Sequence, residues 1–135
     1  MTAAIQTGSV HHVALTVTNL KRSLEFYTTL MNFQPILDLG SRILLHNGSM
    51  VLAITLPPDA TQALPGDCFN ENRVGLDHLS LGVGSKANLE SAVGLLDERK
   101  VMHGEIKDLG EGMRLYVLAF RDPDNIQIEL TAPYA

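Results

Sequence analysis

Apolar residues along the chain fall into two kinds of spacing, and the order in which these alternate repeats once. Between Val10 and Val17 the larger apolar side chains, Val13, Leu15 and Val17, alternate with His12, Ala14 and Thr16, the period of a strand. Leu20, Leu24, Tyr27 and Met31 then recur at helical spacing, with Thr18 or Asn19 placed to cap the helix. Phe33 to Leu39, Arg42 to His46 and Met50 to Leu56 read as three more strands, and Asn47-Gly48 predicts a type I′ turn between the last two.

The periodicity lapses from Pro57 to Asn72, where Pro57, Pro58, Pro65 and Gly66 interrupt the chain. The order then returns. Leu76 to Val83 predicts a strand, Lys86 to Arg99 a helix with Leu89, Val93 and Leu96 on one face, and 105–109, 114–120 and 126–132 three strands. The run from His12 matches that from His78, and Leu52 to Pro57 matches Ile128 to Pro133. A repeat of this length exceeds a solenoid unit. The expectation is a single α+β domain over residues 1–135, built from two βαβββ modules at 9–57 and 76–133 with a connector at 58–75.

Strand parity sorts side chains between two faces. His11, Val13, Leu15 and Val17 share one face, and His12, Ala14 and Thr16 the other. In the second module Leu79, Leu81 and Val83 oppose His78, Ser80 and Gly82, while Ile126, Ile128 and Leu130 oppose Gln127, Glu129 and Thr131. The greasy faces belong against the helices. The remaining faces, with Val51, Ala53 and Thr55 from the first module, would line a cup holding His12, His78 and Glu129. A single histidine on a strand is usually a hydrogen-bonded structural residue. Three ligand-type side chains from three strands on one predicted face are costly without a partner, and they point to a metal site.

These segments, "HHVALTVTNLKRSLEFYTTLMNF", "GLDHLSLGV" and "FRDPDNIQIEL", resemble the vicinal oxygen chelate superfamily of glyoxalase I, extradiol dioxygenases, fosfomycin-modifying transferases and bleomycin-resistance proteins. The resemblance implies a glyoxalase-like fold in which the two modules form a curled mixed-sheet cup. It implies one divalent metal, Fe, Mn, Ni, Co or Zn, held by His12, His78 and Glu129. The position matching Glu129 in the first module is Ala53, where proteins resembling glyoxalase I carry a fourth ligand, so glyoxalase I activity itself is disfavoured. A His-His-Glu set leaves coordination positions open for substrate oxygens, as dioxygenase, lyase or transferase chemistry requires. Ala119 stands where the dioxygenase pattern has a tyrosine, which leaves metal-free ligand binding in the manner of bleomycin-resistance proteins as the alternative. Expected substrate contacts are Ala14, Thr16, Ala53, Ser80, Ala119, Arg121 and Gln127, with the planar Arg121 fork suited to a carboxylate or phosphate.

Composition narrows the partners. Ten basic against fifteen acidic residues, no basic stripe, and no Trp argue against nucleic acid. No apolar run is long enough for a membrane span. Cys68 is the only cysteine, which excludes an intramolecular disulfide and, with no secretion pattern in the first residues, makes a cytoplasmic location the expectation. By analogy with the superfamily the chain is expected to act on a small molecule and to form a homodimer. His12→Ala is expected to lose metal and His11→Ala largely to keep it.

Overall fold

A computed structural model of the protein describes residues 3–135. The chain separates between Ala63 and Leu64 into two compact units, each carrying a four-stranded mixed sheet.

In the first unit, β1 (His12–Thr16), β2 (Gln34–Asp38), β3 (Arg42–His46) and β4 (Val51–Thr55) pair in the order β1-β4-β3-β2. β1 runs parallel to β4, and β4, β3 and β2 form an antiparallel meander. Asn19 caps α1 (Leu20–Glu25) by accepting the Arg22 amide at 2.9 Å. The sequence predicts one continuous helix to Met31, but the last turn, Phe26–Leu30, is π-helical. Thr28 and Thr29 donate their hydroxyls to the carbonyls of Leu24 and Glu25, each at 2.7 Å, competing with the backbone ladder and widening it. Asn32, at φ 57°, then ends the helix in the left-handed conformation.

As parity predicts, Leu15, Val17, Leu52 and Ile54 join Tyr27, Phe33, Ile43 and Leu45 in a buried core. Ser23 is buried there too, and its hydroxyl finds no partner among the described residues. The β3–β4 turn differs from the type I′ expectation. His46 pairs with Val51, so four residues connect the strands, and only Gly48 has positive φ where type I′ needs two such residues. The Asn47 side chain builds the loop instead by accepting the amides of Ser49 and Met50, both at 2.9 Å.

The second unit repeats the plan. β5 (Leu79–Gly82), β6 (Lys107–Asp108), β7 (Leu115–Arg121) and β8 (Gln127–Pro133) pair as β5-β8-β7-β6, with β5 parallel to β8. Ser85 caps α2 (Lys86–Glu98), which buries Leu89 and Leu96 and packs on β8 and β7. Leu118, Phe120, Ile126 and Ile128 complete that core. A short helix, α3 (Gly110–Met113), stands where no periodicity predicts one. Two strands are shorter than expected: β5 begins only at Leu79, and 105–109 contributes two residues. His103 forms an isolated bridge with Phe120, so that edge is bound further upstream than the pattern suggests. Both ring nitrogens of His103 meet acceptors, Gly104 O at 2.6 Å and Asp97 Oδ1 at 2.7 Å. The carbonyl bond, then the carboxylate, raises the His103 pKa above its ordinary value.

The connector is not a free linker. From Leu64 onward it belongs to the second unit, where the Phe69 amide donates to Asp124 O at 2.8 Å and Asn125 Nδ2 donates to Phe69 O at 3.0 Å. Among the described residues no helix is long and apolar enough to cross a membrane.

Candidate metal and substrate site

β8 is the centre of the second sheet, and its register decides what surrounds Glu129. Ser80 lies beside Glu129 on the parallel side and Ala119 on the antiparallel side, so all three face the same way. Thr131 and Gln127 share that face, and Arg121 pairs with Gln127. His78 sits one residue before β5, its Nε2 3.6 Å from Glu129 Oε1. His78 and Glu129, picked from parity and repeat alone, therefore meet in space.

Their neighbours hold them in place. Asp77 Oδ1 lies 2.7 Å from His78 Nδ1. The carboxylate can only accept, so Nδ1 donates and the outward-facing Nε2 of a neutral ring carries a lone pair. Thr131 Oγ1 donates to Glu129 Oε1 at 3.3 Å, and since that uses its one proton, Ser80 Oγ donates to Thr131 at 2.5 Å. The pair Asp77–His78 and the run Ser80, Thr131, Glu129 thus meet where a nitrogen lone pair faces a carboxylate oxygen. Two acceptors face each other stably only with a proton, a cation or a bridging water between them.

A metal fits that gap. Two donors bound to one ion at about 2.0–2.2 Å lie roughly 3–3.5 Å apart, so 3.6 Å closes with a small side-chain shift. The side chains are 35% and 19% exposed, open enough for an ion to enter. A carboxylate on the far nitrogen of a ligating histidine is the usual outer support of such a site. Among the described residues no three His, Cys, Asp or Glu side chains gather as a metal-holding group.

In the first unit His12 opens β1 opposite Val51, and Ala14 and Thr16 follow on its face opposite Ala53 and Thr55. Its Nδ1 lies 2.9 Å from His11 Nδ1, and both histidines are exposed. His11 thus stands to His12 as Asp77 stands to His78: the preceding residue occupies Nδ1. Ala53 sits between Ala14 and Leu44 as Glu129 sits between Ser80 and Ala119, and it is buried.

Arg121 is engaged within the chain. Its guanidinium meets Glu71 of the connector through two bonds, 2.5 Å to Oε1 and 3.2 Å to Oε2, and also donates to Asn125 O at 3.2 Å. The Arg121 bonds hold the Glu71 carboxyl below its ordinary pKa. Tyr116 faces away from the site, as its parity requires, stacking on Tyr134 at 4.9 Å with Lys86 over its ring. A cleft of about 510 Å³ opens beside the connector, bordered by Asp67, Cys68, Asn70, Glu71, Arg73 and Asn125, and its walls include neither His78 nor Glu129. Parity puts Thr131 on the face of Glu129 but does not single out Asp77 or Glu71. Asp77 was recoverable as the neighbour of His78, whereas nothing in the sequence joins Glu71 to Arg121.

The Glyoxalase/Bleomycin resistance protein/Dioxygenase superfamily model matches residues 9–130. The chain belongs to that superfamily. No curated relative matches it. Solved structures of glyoxalase-like proteins cover nearly all of it. A glyoxylase/bleomycin resistance protein/dioxygenase domain from Frankia sp. EAN1pec is 27% identical, with TM-score 0.78 over 95% of this chain and 93% of that one. The lactoylglutathione lyase of Agrobacterium tumefaciens is 18% identical, with TM-score 0.74 over 93% and 94%. The fosfomycin resistance protein FosX of Listeria monocytogenes, solved with Mn(II) and a sulfate ion, is 17% identical, with TM-score 0.71 over 95% and 92%. At those identities the last two establish the shared fold alone, which is the glyoxalase-like α+β arrangement of two βαβββ modules.

Proposed function

We propose that the chain is a small metal-dependent enzyme of the vicinal oxygen chelate type, with His12, His78 and Glu129 as the ligands of one divalent ion. The observation that carries this reading is the 3.6 Å approach of His78 Nε2 to Glu129 Oε1, with Asp77 on the far nitrogen. His12 joins the set because it holds the equivalent place at the head of β1, with its own neighbour on Nδ1. Fe, Mn, Ni, Co and Zn all suit imidazole and carboxylate donors, and such an ion supplies Lewis acidity toward adjacent substrate oxygens in dioxygenase, lyase or transferase chemistry. Asp77 fixes the His78 ring, while Thr131 and Ser80 fix the Glu129 carboxylate. Ala14, Thr16, Ala53, Ser80, Ala119, Arg121 and Gln127 form the substrate surface of this reading, the small ones leaving room for a ligand.

A cytoplasmic homodimer belongs to the same reading. Ile36, Leu37 and Leu39 are about half exposed on or just past the edge strand β2, the kind of edge that a second copy covers. The exposed free thiol of Cys68 accords with a reducing compartment. Elemental analysis of untagged protein from native purification tests the function: one divalent ion per chain is expected, and its identity separates oxygenase from lyase or transferase chemistry. A metal-poor protein that also takes up no added Mn(II), Fe(II), Ni(II) or Zn(II) rejects the reading. Ala53 and Ala119 favour one alternative, a metal-free binding protein, whose sign is ligand binding unaffected by chelator.

A further inference from the structure

The ion pair between Arg121 and Glu71 has the form of a bound ligand. Arg121 lies on the Glu129 face of the sheet, two residues along β7 from Ala119, where diagonal neighbours are about 7–8 Å apart. Its planar fork is filled by two oxygens of one carboxylate, the geometry with which arginine takes a substrate carboxylate or phosphoryl group. That carboxylate comes from Glu71, 50 residues earlier, on a segment without regular secondary structure.

Glu71 is not needed to fasten the connector. Two residues before it, Phe69 is already bound through both its amide and its carbonyl to the β7–β8 turn. Beyond Glu71 the chain runs exposed through Arg73, Val74 and Gly75 to His78. Displacing Glu71 therefore removes its tie to β7 while the Phe69 anchor and the local bonds of Asn72 and Arg73 to Asn70 hold. The pair is also displaceable: the side chains are 35% and 23% exposed, and ion pairs in contact with water are weak. A tethered competitor acts at an effective concentration of roughly millimolar. A free anion needs about that concentration to compete, and a ligand with a second anchor on the same face needs less.

We propose that Glu71 is a built-in surrogate for an anionic group of the substrate, and that a carboxylate or phosphoryl group on the incoming ligand takes its place on Arg121. This rests on the substrate surface assigned above and names the substrate class: a small oxygenated molecule carrying such an anion. Glu71 is a positioning and gating residue, and Arg121 determines specificity.

The test uses the full chain in EDTA at constant ionic strength, titrated with inorganic phosphate and, separately, acetate, followed calorimetrically and by a fluorophore on Cys68, the only cysteine. Glu71→Gln keeps the side-chain volume and is expected to bind the better anion up to about fivefold more tightly than wild type, since the internal competitor, a water-exposed ion pair, is gone. Arg121→Gln and the double variant are expected to bind neither. In wild type the Cys68 signal is expected to move as the anion saturates, because Cys68 borders the same cleft as Glu71 and the Glu71 side chain leaves Arg121, and to stay still in Arg121→Gln. Tighter acetate assigns a carboxylate substrate and tighter phosphate a phosphoryl one. Equal affinity in wild type and Glu71→Gln, or retained affinity in Arg121→Gln, overturns the proposal. Should Glu71→Gln lose its far-UV signal, the wild-type and Arg121→Gln titrations decide alone. Chelator is present throughout, so failure here leaves the metal assignment standing, and failure of metal binding leaves this result standing.

Discussion

The two modules place the same backbone around different chemistry. β4 and β8 hold equivalent positions, each parallel to the first strand of its module and antiparallel to the strand before it. At the matching site one module has Ala53 between Ala14 and Leu44, and the other has Glu129 between Ser80 and Ala119. The histidine at the head of each first strand is retained, with a neighbour on its Nδ1, but that neighbour is His11 in one case and Asp77 in the other. A carboxylate can only accept and so fixes the tautomer of His78, whereas two imidazoles can share the proton either way. The second module is thus the organised half of the proposed ligand set, in which His12 would be a single, less constrained member.

The contrast orders the expected effects. Replacing a ligand of the organised half, by His78→Ala or Glu129→Ala, is expected to abolish metal uptake, and His12→Ala to do the same by removing the one ligand of the first module. Asp77→Asn is expected to weaken metal affinity about 10–100-fold by loosening the His78 ring, measured by competition with a chromogenic chelator. His11→Ala is expected to cost less than Asp77→Asn while keeping full stoichiometry. An equal or larger cost would erase the difference between the modules. This refines the expectation that His11→Ala largely keeps metal, because the 2.9 Å contact gives His11 a supporting part.

Smaller effects concern stability. Raising pH through the elevated pKa of His103 is expected to weaken the tie between α2 and the β7 edge, since a group whose pKa rises on folding stabilises most below its ordinary pKa, about 6.5. That contribution fades as pH climbs past the folded value. Thermal denaturation from pH 6 to 9 should show a decline that is absent in His103→Phe. In the first module, Ser23→Ala removes a buried hydroxyl without a partner and is expected to stabilise the protein by up to about 1 kcal/mol in urea titration. A loss of stability would reveal a partner for that hydroxyl.

Most of the fold could be read from the sequence because the large apolar side chains alternate along the strands, although in β4 Ala53 and Thr55 are buried beside Leu52 and Ile54. Leu15, Leu52, Leu118 and Ile128 are buried where parity puts them. The meeting of His78 and Glu129 was legible for the same reason: both fall on the polar face, and the repeat gives their register. Departures occur where side chains override backbone preference. Thr28 and Thr29 turn the end of a helix into a π turn, and Asn47 builds a four-residue loop where Asn-Gly suggests two. The connector was the least legible segment. Its ties to the second module run from Phe69 and Glu71 to residues 50 or more positions away, and no periodicity records such contacts.

The proposed ligand set is tested most directly by equilibrium titration of Mn(II) into metal-free wild type, His78→Ala and His11→Ala in parallel. One ion per chain in wild type, none in His78→Ala, and one, bound more weakly, in His11→Ala is the expected result. Saturable binding that His78→Ala leaves unchanged would contradict it.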